Sequence, residues 1–125
     1  MFGPITVPYD SVMLWNVCTL KDGVNFVDVE EAIGVVCNTS KEESHGFICG
    51  QVFSYAGFLS EEGSFMDTPP EKISDHFLLV TYWRNFVAHE NSHKNEKVKN
   101  AFGELLEFCS ETKELGYQLE WQGQK

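Results

Sequence analysis

The sequence predicts an α+β fold of the ferredoxin-like type, in which one four-stranded antiparallel sheet carries helices on one face. The first observation is the order of strand-like and helix-like segments along the chain, which is β-α-β-β-α-β. The second is the length, because 125 residues fall within the range of one domain, so residues 1–125 are taken as a single domain. The third is the composition, because ten Phe, four Tyr and three Trp supply the bulk of a sizeable core.

The first strand and the first helix are bounded by clear local signals. Residues 12–20 are mostly apolar, aromatic or β-branched, and they end at the turn sequence Lys21-Asp22-Gly23. Asn25 belongs to the residue types that cap helices, and apolar residues recur after it every three or four positions. This spacing predicts a helix with one apolar face that ends near Ser40.

The middle of the chain predicts a second strand followed by a long loop. Residues 45–58 alternate loosely between polar and apolar and contain three glycines, which indicates a bent or bulged strand. Residues 59–74 include Gly63, Pro69 and Pro70 and therefore predict a loop. A loop of this length is either a lid over a pocket or a solvated hairpin tip.

The second half of the chain predicts a strand, two helices and a closing strand. Residues 75–84 have the composition of a strand, and residues 86 to about 93 that of a short helix. A longer helix is predicted by an apolar stripe at Val98, Ala101, Phe102, Leu105, Leu106 and Cys109. The closing strand is predicted by alternation at Leu115, Tyr117, Leu119 and Trp121.

The first and third strands are apolar on both faces, which predicts a second layer over the sheet. In the first strand, for example, Leu14 and Cys18 alternate with Trp15 and Val17. Two helices can cover only one face of a four-stranded sheet, so the other face needs a partner. The simplest partner is the same face of a second copy. We therefore predict a homodimer, formed through the sheet faces, that encloses an apolar cavity.

The charge and composition of the chain exclude some classes of binding partner. Nine Lys and Arg against nineteen Asp and Glu give a net charge of −10, which argues against nucleic acid and anionic membrane surfaces. The sequence has neither an apolar run of membrane-spanning length nor a basic leader, so we expect a cytoplasmic protein. The four widely spaced cysteines never form C-x-x-C and are expected to be reduced thiols in apolar surroundings.

Residues 89–93, His-Glu-Asn-Ser-His, match the H-E-x-x-H motif of zinc metalloproteases. On a helix, His89 and His93 would project from one face to bind zinc, and Glu90 would accept a proton from metal-bound water. The polar residues 94–97 that follow argue against a buried zinc-protease helix. The two histidines could instead be surface or cavity residues without a metal. A third ligand is left open among Glu107, Glu111, Glu114 and His76.

Residues 78–93, followed by Ala101-Phe-Gly-Glu-Leu105, are similar to the third strand and following helix of antibiotic-biosynthesis-monooxygenase-like domains. The similarity consists of a strand ending in Trp83, Phe86 and His89 on a short helix, and then Ser92-His93 before an apolar helix. This resemblance implies a dimeric α/β barrel. Such barrels include cofactor-independent oxygenases, haem-degrading monooxygenases, isomerases and proteins without a known activity, so the fold alone does not decide the function.

The resemblance argues against haem degradation. Haem-degrading relatives use an Asn on the first strand, a Trp on the short helix and a proximal His further along. Asn16 looks like the strand Asn, but His89 occupies the Trp position and the proximal His position falls near Lys99. We therefore expect no cofactor, with zinc as the alternative.

The main functional hypothesis is a barrel that binds a small apolar or aromatic molecule and oxidises it with O₂. The ligand cavity would be lined by Asn16, Trp83, Tyr82 and His89, with His93 and the loop of residues 59–74 at its mouth. His89 would act as the general base and Asn16 would donate a hydrogen bond to the resulting oxyanion. Asn16 could equally be a buried amide bonded to backbone, and Trp83 could be a core residue. The alternatives are a zinc-dependent hydrolase and a non-catalytic binding or interaction barrel.

Overall fold

A computed structural model describes residues 3–125 and confirms the predicted α+β fold. Its elements, in chain order, are β1 (Val12–Leu20), α1 (Phe26–Glu43), β2 (Phe47–Ser54), β3 (His76–Trp83), α2 (Phe86–Ser92), α3 (Glu96–Leu106) and β4 (Cys109–Gln118). The antiparallel sheet has the strand order β2-β3-β1-β4, which is the ferredoxin-like arrangement. None of the helices in the described part is long and apolar enough to cross a membrane.

The core lies between one face of the sheet and the helices α1 and α3. On this helix-covered face, Phe77 and Cys18 have no exposed surface, and Leu105 of α3 is equally buried above them. The other core residues are Leu20, Val29, Ile33, Val36, Leu79, Ala101 and Cys109. All four cysteines are free thiols, two of them fully within this core. The helix-covered face of β1 therefore reads Leu14, Asn16, Cys18 and Leu20, with one polar residue among apolar ones.

Element boundaries differ from the sequence prediction mainly at the C-terminal end. α1 continues past Ser40 to Glu43, because the polar residues there still fit the helix surface. β4 begins at Cys109, which pairs with Leu20, so Cys109 opens a strand and does not end the helical stripe. The strand also ends at Gln118, so Leu119 and Trp121 lie beyond it. Residues 110–114 are polar because β4 is an edge strand, and this polarity concealed the strand in the sequence.

The predicted irregularity of β2 is confirmed, and the long loop has a definite position. The register of β2 against β3 shifts between Phe47 and Cys49, as expected for a bulge. Residues 59–74 contain one short 3-10 turn, Pro70–Lys72, and none of these residues is buried. The loop enters β3 at His76, the opposite end of the strand from Trp83. Both ends of the loop are therefore anchored at the end of β3 away from Trp83.

The face of the sheet that carries no helix is apolar, as predicted, and we call it the open face. Its polar residues include Gln51 and Lys113, and its apolar residues are Met13, Trp15, Val17, Phe53, Leu78, Val80, Tyr82, Leu115 and Tyr117. Leu115 and Tyr117 on the edge strand are 42% and 41% exposed. The indole of Trp15 packs edge-on against Tyr117 with ring centroids 5.7 Å apart, and its buried Nε1 has no hydrogen-bond partner in the described residues.

Candidate functional site

The short helix α2 is held tightly against the sheet by a cap and two glycines. Its N-terminal residue is capped by Asn85, whose Oδ1 accepts a hydrogen bond of 2.8 Å from the backbone N–H of Ala88. A Cβ on Gly46 would lie 2.6 Å from the Cβ of Ala88, and one on Gly116 would lie 2.7 Å from the ring of Phe86. Without side chains at these two positions, α2 can approach both β2 and β4 closely. The helix therefore carries its histidines to a fixed place over the sheet.

His89 is a buried histidine whose two ring nitrogens both meet carboxylates. Its side chain is 6% exposed and packs edge-on against the indole of Trp83, with ring centroids 5.1 Å apart. Nδ1 lies 3.2 Å from Oε1 of Glu90 on the same helix. Nε2 is in hydrogen-bond contact with Oε1 of Glu114, which β4 contributes. A polar ring at this depth is tolerated because both of its nitrogens have partners.

His93, the residue that caps the C-terminus of α2, extends the same cluster toward solvent. Its side chain is 48% exposed, and Nε2 lies 3.3 Å from Oε1 of Glu114. The rings of His89 and His93 meet edge-on with centroids 4.6 Å apart. On the other side, Nδ1 of His93 is 3.9 Å from Oε2 of Glu90. Oε1 of Glu114 is therefore shared between the Nε2 atoms of two histidines.

The electrostatics of the cluster favour the charged forms of His89 and Glu114. Burial alone would lower the pKa of His89, but the hydrogen bonds and charges of Glu114 and Glu90 outweigh it and raise that pKa above its ordinary value. Burial would likewise raise the pKa of Glu114, but the hydrogen bonds and charges of His89 and His93 outweigh it and lower that pKa. The His89–Glu114 pair therefore holds a proton tightly.

Asn16 brings an unpaired amide to the same side of the sheet. It is 6% exposed and lies directly opposite Glu114 in the pairing of β1 with β4. Directly opposed residues have Cβ atoms about 5 Å apart and share a face. Its Oδ1 has no hydrogen-bond partner among the described residues. The described part of the chain therefore does not contain the predicted alternative, a bond from this oxygen to the backbone. Burying an amide oxygen without a hydrogen-bond partner costs stability.

The comparisons with known proteins concern the fold. No protein-family model and no curated protein sequence matches the chain. A candidate antibiotic biosynthesis monooxygenase from Deinococcus radiodurans is similar with a TM-score of 0.63 and 12% identity over 91% of this chain and 97% of that one. SnoaB, a cofactor-independent oxygenase from Streptomyces nogalater, gives 0.63 and 12% over 90% and 96%. A dimeric ferredoxin-like protein of unknown function from Thermobifida fusca gives 0.65 and 9% over 95% and 100%.

The chain has the fold of antibiotic-biosynthesis-monooxygenase-like domains. In this monooxygenase-like fold the structure brings together most of the residues that the sequence singles out. His89, His93, Glu90 and Asn16 all lie around Glu114, and Trp83 packs on His89. The indole of Trp83 also donates a hydrogen bond of 2.8 Å to the hydroxyl of Thr81. Trp83 is therefore a buried core residue that also contacts the cluster.

Tyr82 is the exception among the predicted cavity residues. As the neighbour of Trp83 in β3 it points to the open face, where its hydroxyl donates a hydrogen bond of 3.2 Å to Oε1 of Gln51. Adjacent strand residues point to opposite faces, so Tyr82 cannot line one cavity together with Trp83, His89 and Asn16. The prediction that these four residues share a cavity within one chain is therefore wrong for Tyr82.

We expect the His89–Glu114 pair to stabilise the protein most strongly at mildly acidic pH. The raised pKa of His89 adds stability that is complete below the ordinary value of 6.5 and is lost as pH rises through the folded value. The lowered pKa of Glu114 adds stability above its ordinary value of 4.5 that is lost as pH falls through the folded value. Urea unfolding should therefore show the largest difference between the native protein and Glu114→Gln near pH 5 to 6.5. A difference that does not vary with pH would contradict this.

Proposed function

We propose that this protein is a small-molecule enzyme, a homodimeric α/β barrel, whose reacting centre is the cluster of His89, His93, Glu114 and Asn16. The observation that carries the proposal is that two histidines share one carboxylate oxygen of Glu114, opposite the unpaired, buried amide oxygen of Asn16. Titratable groups with shifted pKa values gathered at one place are typical of sites that move protons. The site lies where an edge strand meets a short helix, so a ligand can reach it from the His93 side.

We propose His93, and not His89, as the residue that accepts the substrate proton. Both ring nitrogens of His89 face carboxylates, which leaves no free nitrogen for a substrate proton. His93 can donate its Nε2 proton to Glu114, while its Nδ1 faces solvent with only a 3.9 Å neighbour in Glu90. Glu114 then orients the His93 ring and stabilises the imidazolium that forms, and His89 holds Glu114 in place.

Asn16 and Trp83 complete the proposed substrate site. The amide of Asn16 can donate a hydrogen bond to the oxygen from which the proton has been removed, which spreads the negative charge of the anion. Trp83 offers an apolar wall that suits an aromatic or otherwise apolar substrate. A phenol or enol fits both groups, and its deprotonated form is electron-rich enough to react with O₂. We therefore propose oxygenation of a small phenolic or enolic molecule, in keeping with the oxygenases that share this fold. One atom of O₂ would enter the substrate as a carbonyl oxygen, and the other would leave as water with two hydrogens of the substrate, which is thereby oxidised.

The homodimer is supported by the apolar open face and by a structural neighbour that is dimeric. On the open face Phe53, Leu115 and Tyr117 are 41–48% exposed, whereas Val80 is buried. Residues 7–9 and 119–122 line one pocket together with Met13, Tyr82 and Tyr117, so both terminal segments border this face. Exposed apolar patches of this kind mark protein interaction sites. A second copy related by a two-fold axis would cover the face with an identical one, and light scattering at micromolar concentration should give twice the mass of the chain.

The enzyme proposal is tested by oxygen uptake with a panel of phenolic and enolic compounds. We expect the native protein to consume O₂ with at least one of them and His93→Ala to lower the rate about 100- to 10,000-fold, the range of general-base catalysis. His45→Ala is the matched control, because His45 is exposed and makes no contact with the cluster. Equal rates for the native protein and His93→Ala would refute the role of His93.

Ligand-detected NMR separates the enzyme from a non-catalytic binding barrel. Saturable binding of a panel compound without any oxygen uptake or product would favour the binding protein. A compound whose binding is lost in Asn16→Ala, with the fold intact, would place the binding site at the cluster in either case. Binding that is indifferent to Asn16 would contradict the proposed site.

A further inference from the structure

We infer that the same cluster is a binding site for a divalent transition-metal ion, held by Nε2 of His89, Nε2 of His93 and Oε1 of Glu114. This inference deepens the proposed function and rests on its choice of the cluster as the reacting centre. The three donor atoms lie within 4.8 Å of one another. They come from two elements that are rigidly placed by the sheet and by the packing of α2.

The spacing of the donor atoms is compatible with a common metal ion. Metal–nitrogen and metal–oxygen bonds of about 2.1 Å in tetrahedral geometry place two ligand atoms roughly 3.4 Å apart. The Nε2 atom of His93 lies 3.3 Å from Oε1 of Glu114, which already has this separation. His89 is closer to the same oxygen, and a small rotation of the Glu114 side chain, which is 26% exposed, would admit the ion between them.

The surroundings of His89 are those of a metal ligand. A histidine bound to metal through one nitrogen usually donates the N–H of its other nitrogen to a carboxylate or carbonyl, which fixes the ring. Nδ1 of His89 has such a partner in Oε1 of Glu90, at 3.2 Å. The H-E-x-x-H spacing that was noted in the sequence is thus realised on α2, with Glu114 as the third ligand from β4.

Charge and an unpaired oxygen also favour a cation here. Within the described chain, neither Glu90 nor Glu114 forms an ion pair with Lys or Arg, and their recorded ionic partners are the two histidines. The buried Oδ1 of Asn16, opposite Glu114 and without a partner among residues 3–125, is a neutral oxygen donor on the same side. A divalent ion would neutralise the negative charge of the carboxylates. The amide oxygen of Asn16 could then bind the ion itself or a water molecule on the ion.

The donor set indicates which metals would bind. Two imidazoles and one carboxylate suit Zn²⁺, Co²⁺ or Fe²⁺, whereas Mg²⁺ and Ca²⁺ prefer sites made of oxygen atoms alone. Three protein ligands leave coordination positions free for a substrate oxygen. An ion held there would make a bound hydroxyl more acidic, and the proton would be released to solvent. The ion would then replace His93 in the proton-removal step.

The test is metal titration of the untagged full-length protein after chelator treatment and dialysis. We expect one equivalent of Zn²⁺ by isothermal titration calorimetry, and one equivalent of Co²⁺ with visible absorption of low-coordinate Co²⁺. His93→Ala and Glu114→Gln should each weaken binding about 100-fold or more, whereas His45→Ala should bind like the native protein. Circular dichroism verifies that each variant is folded, which the half-exposed position of His93 favours.

The outcomes separate this inference from the proposed function. Absence of stoichiometric binding, or equal affinity in the native protein and His93→Ala, would overturn the metal site. Oxygen uptake that depends on His93 without bound metal would then leave the proposed function standing. Tight binding that His93 and Glu114 both support, with no turnover of any panel compound, would support the metal site and speak against the oxygenase.

Discussion

Replacing Leu115 with glutamate is expected to convert the proposed homodimer into a monomer. Leu115 is 42% exposed on the open face beside Trp15, so the isolated chain tolerates a polar group there. In a two-fold dimer built on this face, the substitution places a carboxylate from each copy inside an apolar interface. Like-charge juxtaposition costs several kcal/mol, so the dissociation constant should rise by about three orders of magnitude. Light scattering or sedimentation at micromolar concentration measures the change.

Val35→Glu is the matched control for this substitution. Val35 is 44% exposed, nearly the same fraction as Leu115, but it lies on α1 and not on the open face. The control should stay dimeric, with an unchanged circular dichroism spectrum. If Leu115→Glu kept the dimer mass, the interface would have to lie elsewhere on the molecule. If both variants became monomeric, the effect would not be specific to the open face.

Replacing Gly46 with alanine is expected to destabilise the fold and to disturb the cluster together. Gly46 has a φ of +87°, and its Cβ would lie 2.6 Å from the Cβ of Ala88. A left-handed conformation costs a non-glycine residue about 1–2 kcal/mol, and overpacking adds about 1–3 kcal/mol. Urea unfolding should therefore show a loss of about 2–5 kcal/mol. Because Ala88 precedes His89, relief of the clash would move His89 away from Glu114.

Gly57→Ala isolates the backbone part of this effect. Gly57 has a similar φ of +76°, but a Cβ there meets no atom within 4 Å. Its substitution should cost about 1–2 kcal/mol and leave the histidine signals of an NMR spectrum unchanged. Equal losses of stability in the two variants would contradict the close contact between Ala88 of α2 and Gly46.

The sequence predicts most of the fold because its local signals agree with one another. The turn at Lys21–Gly23, the cap at Asn25 and the apolar spacing of α1 all indicate the same boundaries, and the structure has them. The start of β4 is the main failure. Residues 110–114 carry no apolar alternation, because an edge strand whose outer side faces water does not need it.

The sequence predicts only part of the candidate site, because one of its residues belongs to β4. His89, Glu90 and His93 lie within one turn-and-a-half of a helix, so their spacing in the sequence is a direct signal. Glu114 is one of four carboxylate or imidazole candidates for a third ligand, and its identity depends on the register of β4. Once Gly116 is placed opposite Leu14, the two-residue period of the strand turns Glu114 toward α2 and next to Asn16. No sequence pattern fixes that register.

The pairing of Asn16 with Glu114 determines when, during folding, the proposed site is completed. The two residues are 98 positions apart (114 − 16), and Glu114 belongs to the final strand. Contacts between distant parts of a chain form late, since their loop-closure entropy must be overcome first. A nascent chain that has folded through α3 would carry both histidines without their carboxylate. The proposed site would thus be complete only after β4 has been synthesised and has docked against β1.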